Sequence, residues 1–168
     1  ESIIVQPGAK LIVSEGVGSY KPRSVFKNAK TAIYAEGSGT IRVDRTDFED
    51  NYIGIDMNPA NNAQNIDISI RNSTFRGIST LYPATFTNQT DIFNNSQPYC
   101  GVILRNNTNL INSGEFFNNR FENMENGMIC INTEMDIISN KFSNITNKYP
   151  ASNQIKGTGI YIIGKGIT

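Results

Sequence analysis

The sequence predicts an all-β solenoid, in which short strands turn through polar corners and stack circuit upon circuit. Three observations lead there. The 168 residues include 23 Asn and 24 Ile and are only 18% charged, a composition poor in the Ala, Leu, Glu and Lys that fill helical domains. No apolar period of 3.6 residues is sustained, whereas short alternating pieces recur, such as Ile55-Asp56-Met57, Ile66-Asp67-Ile68-Ser69-Ile70 and Ile160-Tyr161-Ile162; alternation is the mark of a strand with one buried face. Five phenylalanines, Phe26, Phe48, Phe75, Phe121 and Phe142, share one local setting.

That setting repeats position by position. Two residues before each Phe stands Ser24, Thr46, Ser73, Asn119 or Asn140, and two residues after stands Asn28, Asp50, Gly77, Asn123 or Asn144. Five residues before the last four stand Val43, Ile70, Phe116 and Ile137. A small residue followed by an apolar one comes next: Ala32-Ile33, Gly54-Ile55 and Gly127-Met128 at six and seven residues, Gly101-Val102 and Gly159-Ile160 after insertions. The phenylalanines are spaced by 22, 27, 46 and 21 residues. A period near 22 with several short strands is that of a solenoid, whose single circuit cannot bury its apolar face alone. Circuits stacked about 4.8 Å apart place like over like, so the five Phe are expected to form one interior column. Ser, Thr and Asn satisfy turn backbone through short side chains, and Asn tolerates the left-handed conformation of tight corners. One pattern, Ile inside and Asn at corners, accounts for the composition.

The charges fit the same register. Lys27, Glu49, Arg76, Glu122 and Ser143 directly follow the phenylalanines and are expected to point outward, with Lys27–Glu49 and Glu49–Arg76 as neighbours of opposite sign. The 15 Lys+Arg balance 15 Asp+Glu, which lacks the basic footprint of a nucleic-acid partner. No apolar run approaches the roughly 20 residues of a membrane span, so membrane insertion is not expected. The absence of His excludes imidazole metal ligation and Ser-His-Asp or Cys-His catalysis. Residues 1–168 read as one domain, and its strand-like ends suggest a segment of a longer secreted chain with flanking domains.

Three insertions interrupt the circuits. Asn58–Asn65 lengthens the corner after a Gly-apolar strand; Ile78–Cys100 and Ile145–Thr158 lengthen the corner between the Phe and Gly positions, along one edge. Loops of this kind carry function in solenoids. Phe93, with Asp91 and Asn95 at the repeat offsets, leaves two readings of the 46-residue gap, a long loop or a further circuit. Cys130 aligns with Leu104 and is expected in the core; Cys100, four residues earlier in the neighbouring register, lies about 13 Å along the strand, too far for a disulfide.

The run NNRFENMENGMICINTEMDIISNKFSNI resembles the Asn-x-Phe-x-Asn…Gly-Ile repeats of secreted and surface bacterial β-helix proteins. The opening IIVQPGAKLIVSEG resembles their first coil, with Pro7-Gly8-Ala9 as a corner. The wider likeness is to the pectate-lyase-like superfamily. It implies a single-stranded, right-handed parallel β-helix of about five to seven coils, a secreted or cell-surface location in a bacterium, and a polysaccharide or glycan as partner. Lyases of this fold use acidic clusters to hold Ca2+, and related hydrolases use paired or triple aspartates. Under that alternative, Asp47, Asp50 and Asp56 in the acidic stretch Asp44–Asp56 would be the catalytic or calcium-holding residues. The Asn-Thr-Asp motif and the His- and Trp-containing motifs of pectin-degrading enzymes are missing, Asn132-Thr133-Glu134 being the nearest approach, so no cofactor is expected and the reading that leads is a structural, adhesive or carbohydrate-contacting module. Alternation places Tyr34, Asp56, Ile103, Ile129 and Tyr161 outside, with Ile103 and Ile129 expected to be covered by an insertion; Tyr34 and Tyr161, with Tyr82, Tyr99 and Tyr149, are the aromatic candidates for sugar stacking.

Overall fold

The computed structural model describes residues 2–14, 22–37, 39–58, 66–79, 98–106, 114–146 and 157–164. Among them are sixteen strands and no helix. The first six are β1 (Ile3–Val5), β2 (Lys10–Val13), β3 (Ser24–Lys27), β4 (Thr31–Glu36), β5 (Gly39–Asp44) and β6 (Thr46–Glu49). Then come β7 (Ile53–Asn58), β8 (Ile66–Arg71), β9 (Thr74–Arg76), β10 (Cys100–Arg105), β11 (Gly114–Phe117) and β12 (Arg120–Met124). The last are β13 (Asn126–Ile131), β14 (Met135–Ile138), β15 (Lys141–Ile145) and β16 (Thr158–Ile163).

The strands form three all-parallel sheets. The first has the order β1-β4-β7-β10-β13-β16, the second β14-β11-β8-β5-β2, the third β15-β12-β9-β6-β3. Consecutive strands thus belong to different sheets, and each pairs with a strand three places away, the arrangement of a parallel β-solenoid.

The core lies between the three sheets and is filled by the inward residues of each: Ile33, Ile55, Val102 and Met128 from the first, Ile41, Val43, Ile68, Ile70 and Phe116 from the second, Phe48, Phe75 and Phe121 from the third. The phenylalanines stack with ring centroids 5.1, 4.5, 5.0 and 4.9 Å apart and planes within 11°. Phe75 stacks directly on Phe121 and pairs with it in register, so no further circuit intervenes between them; Phe93 itself lies outside the described residues. The small residue of the Gly-apolar pair now has a reason. A Cβ on Gly101 would stand 2.6 Å from Cδ1 of Phe121 and 2.8 Å from the carbonyl oxygen of Gly127: the ring lies against the glycine backbone.

The corners use left-handed backbone repeatedly. Between the third and first sheets it falls on Asn28, Asp50, Asn123 and Asn144, between the second and third on Arg45, Asn72, Asn118 and Ser139, and after the first on Gly37, Asn106, Asn132 and Gly164. Asn dominates because its short amide bonds locally in that conformation. The amides also bond between circuits: Asn144 Nδ2 donates to Asn123 Oδ1 at 3.0 Å, Asn118 Nδ2 to Asn72 Oδ1 at 2.8 Å, and Asn132 Nδ2 to Asn106 Oδ1 at 3.3 Å. A second, buried ladder runs two residues before the Phe column. There the Ser73 hydroxyl accepts from Thr46 N at 3.2 Å, Asn119 Oδ1 from Ser73 N at 2.9 Å, and Asn140 Oδ1 from Asn119 N at 2.8 Å.

Cys100 and Cys130 are free and buried. Leu104 pairs with Cys130 and Cys100 with Asn126, which sets the two cysteines four positions apart in register.

Candidate functional site

The acidic stretch is divided by a corner. Asp47 sits on β6 in the third sheet, Asp56 on β7 in the first, and Asp50 in the turn between them. Each has its own partners. Asp47 Oδ1 accepts from Arg23 Nε at 2.8 Å. The Asp50 side chain is wholly buried; Oδ1 accepts from the main-chain N–H of Ile78 and Ser79 at 2.7 and 2.9 Å, Oδ2 from the Ser79 hydroxyl at 2.8 Å, and Lys27 Nζ lies 3.9 Å away. Those bonds hold the chain as it leaves β9, so Asp50 serves as a corner residue. Asp56 is ion-paired with Arg105 from the next strand of its sheet. Burial pushes its carboxyl above the usual range, against the opposing pull of the Arg105 guanidinium. Among the described residues no group of three or more acidic, His or Cys side chains is arranged to hold a metal ion.

The outward charges run as ladders. Glu49 accepts from Arg76 Nη2 at 2.7 Å and from Lys27 Nζ at 3.4 Å, and the hydrogen bond from Arg76 holds its carboxyl below the usual range. A carboxyl depressed in the folded state stabilises above its unfolded pKa, and that share is lost as pH falls through the lower folded value. Glu49 is partly exposed, so the share is small. The expected result is that the urea midpoint of Glu49→Gln falls less than that of the parent between pH 7 and pH 3. An equal or larger fall would remove Glu49 from the acid response.

On the first sheet the outer row reads Tyr34, Asp56, Ile103, Ile129 and Tyr161, on β4, β7, β10, β13 and β16. Its centre is not open. Ile103 and Ile129 are 3% and 4% exposed and form an apolar cluster with Cys100, flanked by Ile53, Tyr99, Ile131 and Tyr161. Alternation gives the side of the sheet correctly, but that side is covered at these two residues. Tyr34 and Tyr161 are half-buried and four strands apart, roughly 19 Å. Burial, then a hydrogen bond with Glu36, raises the Tyr34 phenol. Tyr99, at one flank of that cluster, is stacked on Tyr52 at 5.4 Å and 18° at the corner between the third and first sheets, with its phenol pushed up by burial. Tyr82 and Tyr149 lie outside the described residues.

Sequence reasoning missed Glu125. It follows the corner Asn123 on the same row as Tyr52 and Tyr99, and it is fully buried. The register, two residues past the corner Asn123, was the signal that could have placed it there. It also missed Asn51, 3% exposed, whose amide donates to the Phe26 carbonyl and accepts from Ala29 N, each at 2.8 Å.

Comparison with protein-family models, with curated proteins and with solved structures finds no match.

Proposed function

We propose that this chain is a module of a right-handed, single-stranded parallel β-helix of the pectate-lyase-like kind, with five full coils and a strand of a sixth among the described residues. We assign it a secreted or cell-surface place in a bacterium and a structural, adhesive or carbohydrate-contacting role without catalysis. One observation carries this reading: Asp47, Asp50 and Asp56 belong to different faces, and each is engaged by its own cation or main-chain donors. A glycosidase needs two carboxyl groups flanking one bond, about 5–9.5 Å apart; a lyase needs carboxylates grouped around a cation with a base beside them. Here cations and carboxylates alternate between circuits and tie strand to strand, as a scaffold requires.

The test is a panel of polysaccharides offered to the purified chain, with bound polymer and released fragments both measured. The expected result is retention of polymer with no new reducing ends and no unsaturated products. Cleavage products that vanish in Asp56→Asn or Asp47→Asn would overturn the non-catalytic reading. A chain that retains no polymer loses the carbohydrate-contacting role and keeps the structural one.

A further inference from the structure

We propose that the sugar-contacting surface is an open groove on the outside of the second sheet, away from the tyrosine row of the first, and that it takes uncharged hexose units of a polymer. The inference rests on the carbohydrate-contacting reading above and gives it an address. The groove encloses about 370 Å³ and is lined by Ser14, Arg42, Asp44, Ser69, Arg71 and Asn72, from the end of β2 across β5 and β8.

Three features suit it to a sugar. Ser69 gives the groove depth: in register it stands between Arg42 on β5 and Glu115 on β11, and its short side chain leaves a notch between longer neighbours. The polar planes around the notch are already fixed. Arg42 is paired with Asp67 and Arg71 with Glu115; Asn72 Nδ2 donates to Asp44 Oδ1 at 2.9 Å while its Oδ1 accepts from Asn118. Guanidinium and carboxylate groups held this way offer alternating donors and acceptors whose rotamers need no further ordering on binding. Apolar side chains on the same face flank the polar zone. Ile12, 55% exposed, is beside Arg42, and Phe117, 37% exposed, is beside Arg71, so a pyranose ring has apolar surface to lie on at either end.

The charge selects the sugar. On this face Arg42, Arg71 and, one strand out, Lys10 meet four carboxylates, Asp44, Asp67, Glu115 and Asp136. With no surplus of positive charge, nothing draws an acidic polymer, while hydroxyl groups can both donate to the carboxylates and accept from the guanidiniums.

The test uses mannan, a β-glucan, a β-galactan and polygalacturonate as probes, with affinity read by gel retardation or calorimetry. Ser69→Tyr fills the notch without removing an ion pair; Arg42→Gln keeps a donor but removes the fork. Circular dichroism and the melting transition check the fold of each. The expected result is binding of at least one uncharged polymer by the parent, weakened tenfold or more in both groove variants. Binding kept in both and lost in the Tyr34→Ala/Tyr161→Ala double variant overturns the groove and leaves the carbohydrate role standing on the first sheet. Preference for polygalacturonate overturns the uncharged-sugar assignment. Failure of the parent to bind any of the four overturns the groove and the carbohydrate role together.

Discussion

Phe121→Ala is expected to lower the free energy of unfolding by about 3–5 kcal/mol, the usual cost of emptying a buried phenylalanine site. Phe121 is fully buried and lies in the middle of the column, 5.0 Å from the ring of Phe75 and 4.9 Å from that of Phe142. The truncation removes two stacked faces, each contributing about 0.5–1.5 kcal/mol beyond burial. Relaxation is constrained, because the ring rests on the backbone of Gly101 and the sheet that carries Gly101 is held by neighbours on both sides. Urea unfolding followed by far-UV circular dichroism measures the loss. Phe26→Ala, at the half-buried end of the column, is expected to cost less. Equal losses at the two positions, or an unchanged midpoint for Phe121→Ala, would contradict a column in which the central ring is clamped on both faces.

Asn119→Ala is the second large effect. Asn119 is fully buried. Its Oδ1 accepts from Ser73 N at 2.9 Å, and its Nδ2 donates to the Ile70 carbonyl at 2.8 Å and to Asn140 Oδ1 at 3.0 Å. Alanine would strand a main-chain donor and a main-chain acceptor in a dry corner, at about 1–3 kcal/mol for each unsatisfied group. Asn119→Ser tests the mechanism: Ser73 carries the same duty one circuit earlier with a hydroxyl, so serine is expected to recover part of the loss. A serine variant as unstable as the alanine one would mean that amide volume, not the accepting oxygen, is what the corner needs.

The legible part of this fold was whatever repeats. Phe26, Phe48, Phe75, Phe121 and Phe142 advertise one another because stacking demands the same residue at the same distance from the same corner. The left-handed corners were legible at Asn28, Asp50, Asn123 and Asn144 for a related reason, since few side chains accept that conformation. Phe93 shows the limit. Its offsets match the repeat, yet Phe75 meets Phe121 directly, and loop length carries no information on whether a circuit is present.

The site was harder to read because function depends on what meets across circuits and not on what is adjacent in the chain. Asp47, Asp50 and Asp56 cluster in sequence, but the corner at Asp50 sends them to separate surroundings. The converse holds for Arg42, Ser69 and Glu115. They are 27 and 46 residues apart in sequence and neighbours on one face. Alternation also predicts side and not cover, which is why Ile103 and Ile129 are outward in register and buried in fact.

The ladder pairing has a mechanical consequence. Among the described residues each strand pairs with strands one circuit away in its own sheet, so strand pairing links adjacent circuits. Pulled from its ends, such a molecule pays out like thread from a spool, shedding its outermost loop before the next is loaded. With 21 to 27 residues between most neighbouring phenylalanines and 46 between Phe75 and Phe121, a step frees roughly 70–95 Å of contour, or about 150–165 Å for the long circuit. The force–extension curve is therefore a sawtooth of small teeth, one of them about twice as long as the rest, instead of one rupture, and a stalk made this way would yield gradually under load while the loops still wound kept their shape.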